Sequence, residues 1–589
     1  MNNSDGVPEL AFGFLWTKGA VGLFWFAELA LTALFLVLAF KAPHLGSRWF
    51  ERMEARFAGL AGHPVRQIVA VGVFAVLARA AVLPWLGAPV AYIYDEQSMV
   101  LQAQTFMAGR LANPPHPFWE HFETFYVNQL PAYASMYFPG RGAPLYAGLL
   151  IAGNAWVGVW LSVVLMCMAA TWMLQGWVSL PMAFLGGVLV AVRLGIFSFW
   201  TNSYYGGAFT AFGAMLVFGA LARVLKEPRW RDGLVMGLGA AILMVSRPYE
   251  GMLLCLPVAI AVLVRWLRPG WKGGRWAIAK LALPALLLLG AGGGLLLSYN
   301  KAATGDFLKD AYRLNRETYA SAPAFLVSPP VVSQNRGPAH MRAYFEREAQ
   351  PYHYRESAAK LVRSVGAKLL HTWNFYIGPT FTLAFVAGLW VARRDRLLVG
   401  TLVFFMLGYF LETWNFPQYT APLYPVLLVL TMRGFAWLRT RSARGLFLTR
   451  AMPAAAIALL ALPVSFLVLG WPPLGDPSAQ AACCVVDYDK LRPALERQLA
   501  ASPGRDLVLV KDGPHYPTHY ELVYNEADID NAQVVWARRL SAEKDQRLVS
   551  HFSDRLVWEF EWLPKTPGAK QAYRFTPITP DGKPQALRQ

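Results

Sequence analysis

The chain has 589 residues, of which 56% are hydrophobic and only 15% charged. About four soluble domains would fit the length alone, but so apolar a composition excludes a chain folded wholly in water. The net charge of +18 fits a nucleic-acid partner or a membrane, and the basic residues punctuate long apolar runs, which selects the membrane and excludes nucleic acid.

A helix needs about 20 mostly apolar residues to cross the hydrocarbon core, where an unpartnered backbone amide is costly. Runs of that kind predict about twelve membrane helices, near 20–41, 67–88, 154–175, 181–199, 207–225, 232–246, 251–267, 280–298, 370–391, 398–411, 420–438 and 452–470. Lys and Arg fall in every second short loop, as at Arg48, Arg52 and Arg56, at Arg265, Arg268, Lys272 and Arg275, and at Arg439, Arg441, Arg444 and Arg450. Short loops rich in these residues stay cytoplasmic, so the other loops face outward, including 89–153, 299–369 and everything after 472, and both termini are extracytoplasmic. The first helix lacks a basic leader and a small-residue cleavage site, so a retained span is expected.

Loop 299–369 is too long for a plain connection. Its stretch HMRAYFEREAQPYHYRESAAKLVRSVGAKLL, interrupted by Pro351, predicts helices lying on the membrane surface. Beyond the linker WPPLGDP, the tail is polar enough to fold in water. A helix near 487–501 and apolar runs at 507–510, 534–537 and 556–560 predict a small α/β module. The expected architecture is mainly α: an extra N-terminal helix and basic loop over 1–65, a membrane core over 66–472 with two structured outer loops, and an extracytoplasmic α/β domain over 473–589. Four Cys are too few for a disulfide framework, and Cys483 and Cys484 are adjacent, a spacing that seldom permits a mutual bridge.

No phosphate loop and no GxGxxG motif occurs, so a nucleotide cofactor is not expected. The bulky polar segments all lie in outer loops, which directs attention to substrates reachable from the outer face. Asp95 and Glu96 stand just beyond the second predicted span. One such carboxylate can accept a proton from a hydroxyl while the other orients it or binds a divalent metal; two acids after a membrane helix are more often a solvated helix cap or interfacial charges.

An acidic pair early in the first outer loop, followed by a helical stretch, a Gly, a Pro-rich segment and an aromatic Y-x-P-G stretch, resembles the GT-C glycosyltransferases, a superfamily that includes protein O-mannosyltransferases and aminoarabinose transferases. HPFWEHFE at 116–123, PAYASMYFPGRG at 131–142, TNSYYGGA at 201–208, SRPYEG at 246–251 and YNEADIDNAQVVWAR at 524–538 resemble segments of a bacterial subgroup of these membrane proteins. The resemblance spans most of the chain after residue 66. It implies a GT-C fold, an Asp95 that serves as catalytic base beside Glu96, a polyprenyl-phosphate sugar donor, an envelope glycan, lipid or protein as acceptor, and residence in a bacterial cytoplasmic membrane. The helix at 20–41 and the tail stand outside the core fold.

Breaking a sugar–phosphate bond calls for fixed cations. Arg193 lies inside an apolar run, where it faces a phosphate or snorkels to the interface. Arg141, Arg247 and Lys301 lie at outer helix mouths and read as phosphate ligands or as interfacial anchors, with Glu250 as a salt-bridge partner. His116, with His121, Glu120 and Glu123 nearby, reads as a substrate contact, with a metal site as the minority alternative. Asn202, Tyr204, Tyr205 and Trp200 can meet a sugar or form an aromatic belt. His515, His519, Glu521, Asp528 and Asp530 crowd one region of the tail, as metal ligands or as capping and surface groups. A transporter or flippase of a lipid-linked or envelope substrate is the different-class alternative, though paired Gly/Pro-broken helices in two matching halves are not found. A noncatalytic envelope scaffold is a third.

Overall fold

The computed structural model describes residues 20–91, 93–268, 274–334, 336–470, 480–484, 491–501, 504–513, 516, 521–564 and 572–579. His515, His519, Lys272, residues 487–490 and the WPPLGDP linker lie outside the described residues. The chain is mainly helical with a small C-terminal sheet. Its contacts group into two compact units, one of Met1–Val90, Trp156–Leu295 and Tyr354–Asp487, the other of Ala91–Ala155, Leu296–His353 and Tyr488–Gln589.

Among the described residues, eight helices are long and apolar enough to cross a membrane: Ala20–Lys41, Pro64–Leu86, Ala155–Trp177, Gly207–Val224, Pro248–Leu267, Trp276–Thr304, Ala421–Arg441 and Ala443–Leu469. A bent pair, Ala358–Tyr376 and Gly378–Ala392, makes a ninth candidate. Leu180–Leu194, Trp230–Ser246 and Arg396–Phe410 are shorter helices over the remaining segments read as spans.

The expected straight helix over 370–391 is instead broken and turned by 102°. Gly378 adopts φ 64°, a left-handed conformation that ends a helix, and Pro379 has no amide to continue one. The space beside Gly378 is taken by Arg193, and a Cβ there would run into Arg193 Nη2 and Glu28 Oε1. Arg193 Nη1 meets Glu28 Oε1 at 3.2 Å, Nε donates to Phe375 O at 2.9 Å and Nη2 to Asn374 O at 2.5 Å. Glu28 Oε1 also accepts from Thr380 N–H at 3.2 Å. The N-terminal helix is thereby tied to the break by a buried ion pair.

The expectation for the adjacent cysteines is corrected: Cys483 and Cys484 form a disulfide, their Cα atoms 3.7 Å apart. Cys484 sits at φ 68°, a left-handed turn that brings two consecutive Cβ atoms toward one side.

In the second unit a short hairpin pairs β1 (Val127–Asn128) with β2 (Ala134–Ser135). The tail forms β3 (Arg505–Lys511), β4 (Val534–Arg538), β5 (Arg555–Trp562) and β6 (Tyr573–Ile578) in the order β4-β3-β5-β6. The first three are parallel and β6 runs antiparallel to β5. The three apolar runs of the sequence are β3, β4 and β5; β6, poorer in aliphatics, was not expected. Leu495 and Leu499 of the Leu491–Ala500 helix cover Val508, Val510, Trp536, Trp558 and Phe560. Residues 339–348 and 358–376 are helical, with a 3-10 turn over Gln350–Glu356 at Pro351.

A buried polar network joins three segments of this unit. Glu521 accepts from Arg538 Nη2 at 2.8 Å, Tyr516 OH at 2.8 Å and Val523 N–H at 2.9 Å, and lies 3.0 Å from His340 Nε2. Arg538 also donates to Asp512 at 2.6 Å and to Glu123 O at 3.1 Å. Burial raises the Glu521 carboxyl, but Arg538 and then His340 overcome that and hold it at about 2.

Two outcomes follow from these pairs. Glu28→Ala leaves Arg193 buried without its counter-charge, and thermal unfolding of the solubilised chain should show a loss on the order of 3–5 kcal/mol. The depressed Glu521 contributes stability that is complete above the ordinary carboxyl range and is lost as pH falls through about 2. Amide exchange in β3 and β5 of the full chain should therefore rise progressively over that acid window, and Glu521→Gln should raise it already at neutral pH.

Candidate active site

Asp95 and Glu96 occupy the first turn of the Tyr94–Met107 helix, where carboxylates complement the exposed amides and the positive end of the helix dipole. Glu96 is wholly buried and its Oε2 accepts from Ile93 N–H at 3.3 Å. That is the reach of an N3 glutamate back to the N-cap amide. Asp95 is half-buried, and Tyr137 OH donates a hydrogen bond to its Oδ1. Of the two acids, Asp95 is the one with access to solvent.

The hairpin delivers the aromatic residues around it. Tyr126 directly precedes β1 and Tyr137 lies two residues beyond the end of β2, so the paired strands hold their rings 6.2 Å apart. Tyr126 has φ 59°, a conformation that costs a non-glycine residue on the order of 1–3 kcal/mol unless its surroundings impose it. Here its carbonyl is fixed by Ser98 Oγ at 2.6 Å and Met136 N–H at 3.0 Å. The next turns of the Tyr94–Met107 helix complete the mount. Gln102 Nε2 donates to Tyr137 O at 2.8 Å, while Gln102 Oε1 accepts from Gly142 N–H at 2.7 Å. A Cβ at Gly142 would stand 2.7 Å from that oxygen, so the approach requires glycine.

Tyr344 and Glu348 come from the Ala339–Glu348 helix, where a spacing of four puts both on one face. Tyr126 OH meets Tyr344 OH at 2.7 Å and donates to Glu348 Oε1 at 3.3 Å. Arg316 grips Glu348 with two nitrogens, at 2.9 and 2.8 Å. Tyr94 stacks on Phe125 at 4.1 Å, and Tyr344 stands edge-on to Tyr94 at 5.3 Å. Burial pushes the Tyr126 hydroxyl well above its usual range, and Glu348, Tyr344 and Asp95 push the same way. Burial followed by Glu348 and Asp95 does the same to Tyr344. Both phenols therefore remain neutral hydrogen-bond donors beside two carboxylates.

Arg141, on the Pro139–Ala152 helix, is buried with its guanidinium 5.8 Å from the Tyr137 ring centre. Lys301 Nζ donates to Gly305 O at 2.6 Å and stands over Phe307. In the other unit, Arg193 pairs with Glu28 as described, and Arg247 pairs with Glu250 while stacking 4.0 Å above Tyr419. Asn202 Nδ2 donates to Ser198 O at 3.0 Å and Tyr204 OH to Pro89 O at 2.8 Å; both residues are buried. Internal contacts thus account for the placement of these side chains.

His116, Asp530 and His551 are the one group among the described residues whose ligand atoms converge as a cation would require, all within 4.8 Å. His116 Nε2 and His551 Nε2 lie 3.3 and 2.9 Å from Asp530 Oδ1. Phe118 N–H, however, donates to His116 Nδ1 at 3.0 Å. The neutral ring therefore carries its proton on Nε2, the atom a metal would need bare. Burial lowers His116 despite Asp530, so this neutral tautomer is the favoured state. The donor set does not fit a cation at that nitrogen. Asp95 and Glu96 do not fit a two-carboxylate metal site either, since Glu96 is buried against its own cap. Glu120 and Glu123 are likewise engaged, Glu120 with Lys544 and Glu123 with Arg336 at 3.3 Å.

Sequence reasoning missed Tyr126, Tyr137, Tyr344, Glu348 and Arg316. Only Tyr137 carried a signal, as the aromatic of the Y-x-P-G stretch.

No family description matches the chain, and no curated protein matches it. Solved structures do. ArnT from Cupriavidus metallidurans in the apo state is similar with a TM-score of 0.46 and 13% identity, over 83% of this chain and 92% of that one. ArnT bound to undecaprenyl phosphate gives 0.47 and 13%, over 87% and 99%. The Archaeoglobus fulgidus oligosaccharyltransferase in complex with Zn and sulfate gives 0.38 and 10%, over 84% and 68%. No residue role follows from likenesses of this degree.

The mount of Asp95 predicts that Tyr137→Phe lowers turnover by about ten-fold, the loss of one hydrogen bond to a charged group, while the chain remains folded. Comparing kcat with KM checks this, because a purely structural defect would lower the yield of folded protein and leave kcat of the survivors intact.

Proposed function

We propose that the chain is an inverting membrane glycosyltransferase that moves a sugar from a polyprenyl-phosphate donor to a hydroxyl acceptor at the extracytoplasmic face. The observation that carries this reading is the placement of Asp95: solvent-accessible, fixed by Tyr137 and close enough to the buried phenols of Tyr126 and Tyr344 to act on them by its charge. The GT-C resemblance of the sequence gives that carboxylate its chemical context.

In the reaction proposed, the acceptor oxygen attacks the anomeric carbon as the bond from that carbon to the phosphate oxygen breaks. The acceptor proton passes to Asp95, and polyprenyl phosphate departs with the bonding pair. A single displacement inverts the anomeric configuration, as it does when a base acts on the face opposite the leaving group in glycoside hydrolysis. Tyr137 keeps Asp95 in one orientation, which matters because a misplaced base forfeits much of its effect. Arg141 is assigned to the phosphate, where a fixed cation stabilises the charge that accumulates on the leaving oxygen. Glu96 acts indirectly, by capping the helix that carries Asp95. No step is routed through a divalent metal: among the described residues Glu96 caps its own helix, and Glu120 and Glu123 pair with Lys544 and Arg336. The proposed setting is the cytoplasmic membrane of a bacterium, with the outer loops and tail extracytoplasmic and an envelope glycan, lipid or protein as acceptor.

Asp95→Asn should fold and insert normally yet reduce transfer on the order of 10²–10⁴-fold. Mass spectrometry of envelope glycoconjugates reads this out, comparing a deletion strain complemented with the unmodified chain or with the variant. A sugar-bearing species restored only by the unmodified chain is the expected result; equal restoration by Asp95→Asn would remove the base assignment.

A further inference from the structure

Between the first two candidate spans, Ala20–Lys41 and Pro64–Leu86, lies a separate helix, Ser47–Ala61. Only residues 42–46 and 62–63 connect it to them, too short a tether for it to leave the membrane surface. At about 100° per residue, Trp49, Phe50, Met53, Phe57 and Leu60 fall on one arc of this helix, and Arg48, Arg52 and Arg56 form a stripe along one border of that arc. Trp49 is 55% and Phe57 47% exposed. Phe50, Met53 and Leu60 are half-buried and Phe57 lies 6.4 Å from Phe184; an apolar arc that the fold covers only in part, on a charged helix, is the pattern of a helix lying in the headgroup region.

The charges are sorted by partner. Glu54 on the opposite border is held by Arg439 at 2.8 Å and Arg450 at 2.9 Å, and Arg450 also faces Glu51 at 3.7 Å. Burial raises the Glu54 carboxyl, but hydrogen bonds from Arg450 and Arg439 bring it down to about 2, so it stays ionised. The acids of the helix are therefore spent on arginines of the last two spans. Arg48, Arg52 and Arg56 are exposed and form no ion pair among the described residues. That border of the arc carries three positive charges with no ion-pair partner among the described residues, and exposed Lys41, Arg66, Arg441 and Arg444 extend that character nearby.

We propose that the Ser47–Ala61 helix is a lipid-reading element, its apolar arc seated among the headgroups of the membrane face that carries the basic loops, and its Arg48–Arg52–Arg56 stripe bound to anionic phospholipid. Each arginine near an anionic surface adds favourable attraction that fades within a Debye length. The interaction is separate from the transfer reaction and does not depend on it.

The test is amide exchange over residues 47–61 of the full chain in nanodiscs of phosphatidylcholine alone or of phosphatidylcholine mixed with phosphatidylglycerol. Exchange should be roughly ten-fold slower or more in the anionic discs. The difference should collapse in high salt and in the R48Q/R52Q/R56Q variant; the salt arm needs no substitution and guards against a folding defect. Equal exchange in the two discs, or a lipid difference indifferent to both salt and the variant, overturns the proposal. So does protection that rises with protein concentration in detergent, which would mean that a second copy covers the arc.

Discussion

The Glu521–Arg538 ion pair has almost no solvent on either side, and a carboxylate and a guanidinium so placed hold together only while their remaining donors and acceptors are met. Meeting them takes residues from separate stretches of sequence: Tyr516, Val523 and Asp512 from the tail, His340 from the second outer loop and the Glu123 carbonyl from the first. The pair therefore acts as a register mark. With any of these segments displaced, a buried charge loses a partner and the arrangement is several kcal/mol worse.

That register reaches the candidate site along one helix. His340, Tyr344 and Glu348 recur at four-residue intervals, so they share a face of Ala339–Glu348. His340 is fixed to Glu521, while Tyr344 and Glu348 meet Tyr126, and Arg316 locks Glu348 from outside. The tail is thus linked to the aromatic wall beside Asp95 by two hydrogen-bonded steps and a helix. A tail that the sequence marked as an addition to the core is better understood as the anchor of that wall.

The segments that span were legible because the demand of lipid for about 20 apolar residues writes itself locally. β3 and β4 were legible for the same reason, being almost wholly buried and so nearly continuously apolar, and β5 by its LVWEF run, though Leu556 is exposed and Glu559 half-buried. The Asp95–Glu96 pair could be located, but not divided into a solvent-accessible acid and a buried cap, because that division depends on a single turn of helix and a tyrosine from another strand. Tyr126, Tyr344 and Glu348 could not be found, since their contacts with one another cross more than 200 residues of sequence. Arg193 was ambiguous for a related reason: its counter-charge, Glu28, lies 165 residues away on a helix that the core pattern left unexplained. The cysteine pair was misjudged because adjacency normally points successive Cβ atoms apart, and no sequence rule announced that Cys484 would be left-handed. The amphipathicity of Ser47–Ala61 was present in the sequence but hidden by the basic residues, which served first as markers of loop orientation.

The strain at Tyr126 gives the site its most specific physical argument. A glycine would hold φ 59° at little cost, and the fold already supplies the two hydrogen bonds that fix this carbonyl. Backbone geometry alone would favour the smaller residue. A tyrosine there is explained by its side chain, which carries a hydroxyl to the point where Tyr344 and Glu348 meet and lays a ring against Tyr137. Strain retained for the sake of a side chain implies that the side chain matters where it lands, and where it lands is the wall facing Asp95. The same hairpin that forces the strain also fixes the Tyr137 phenol on the carboxylate. The cost in backbone energy and the orientation of the Asp95 carboxylate therefore come from one structural cause.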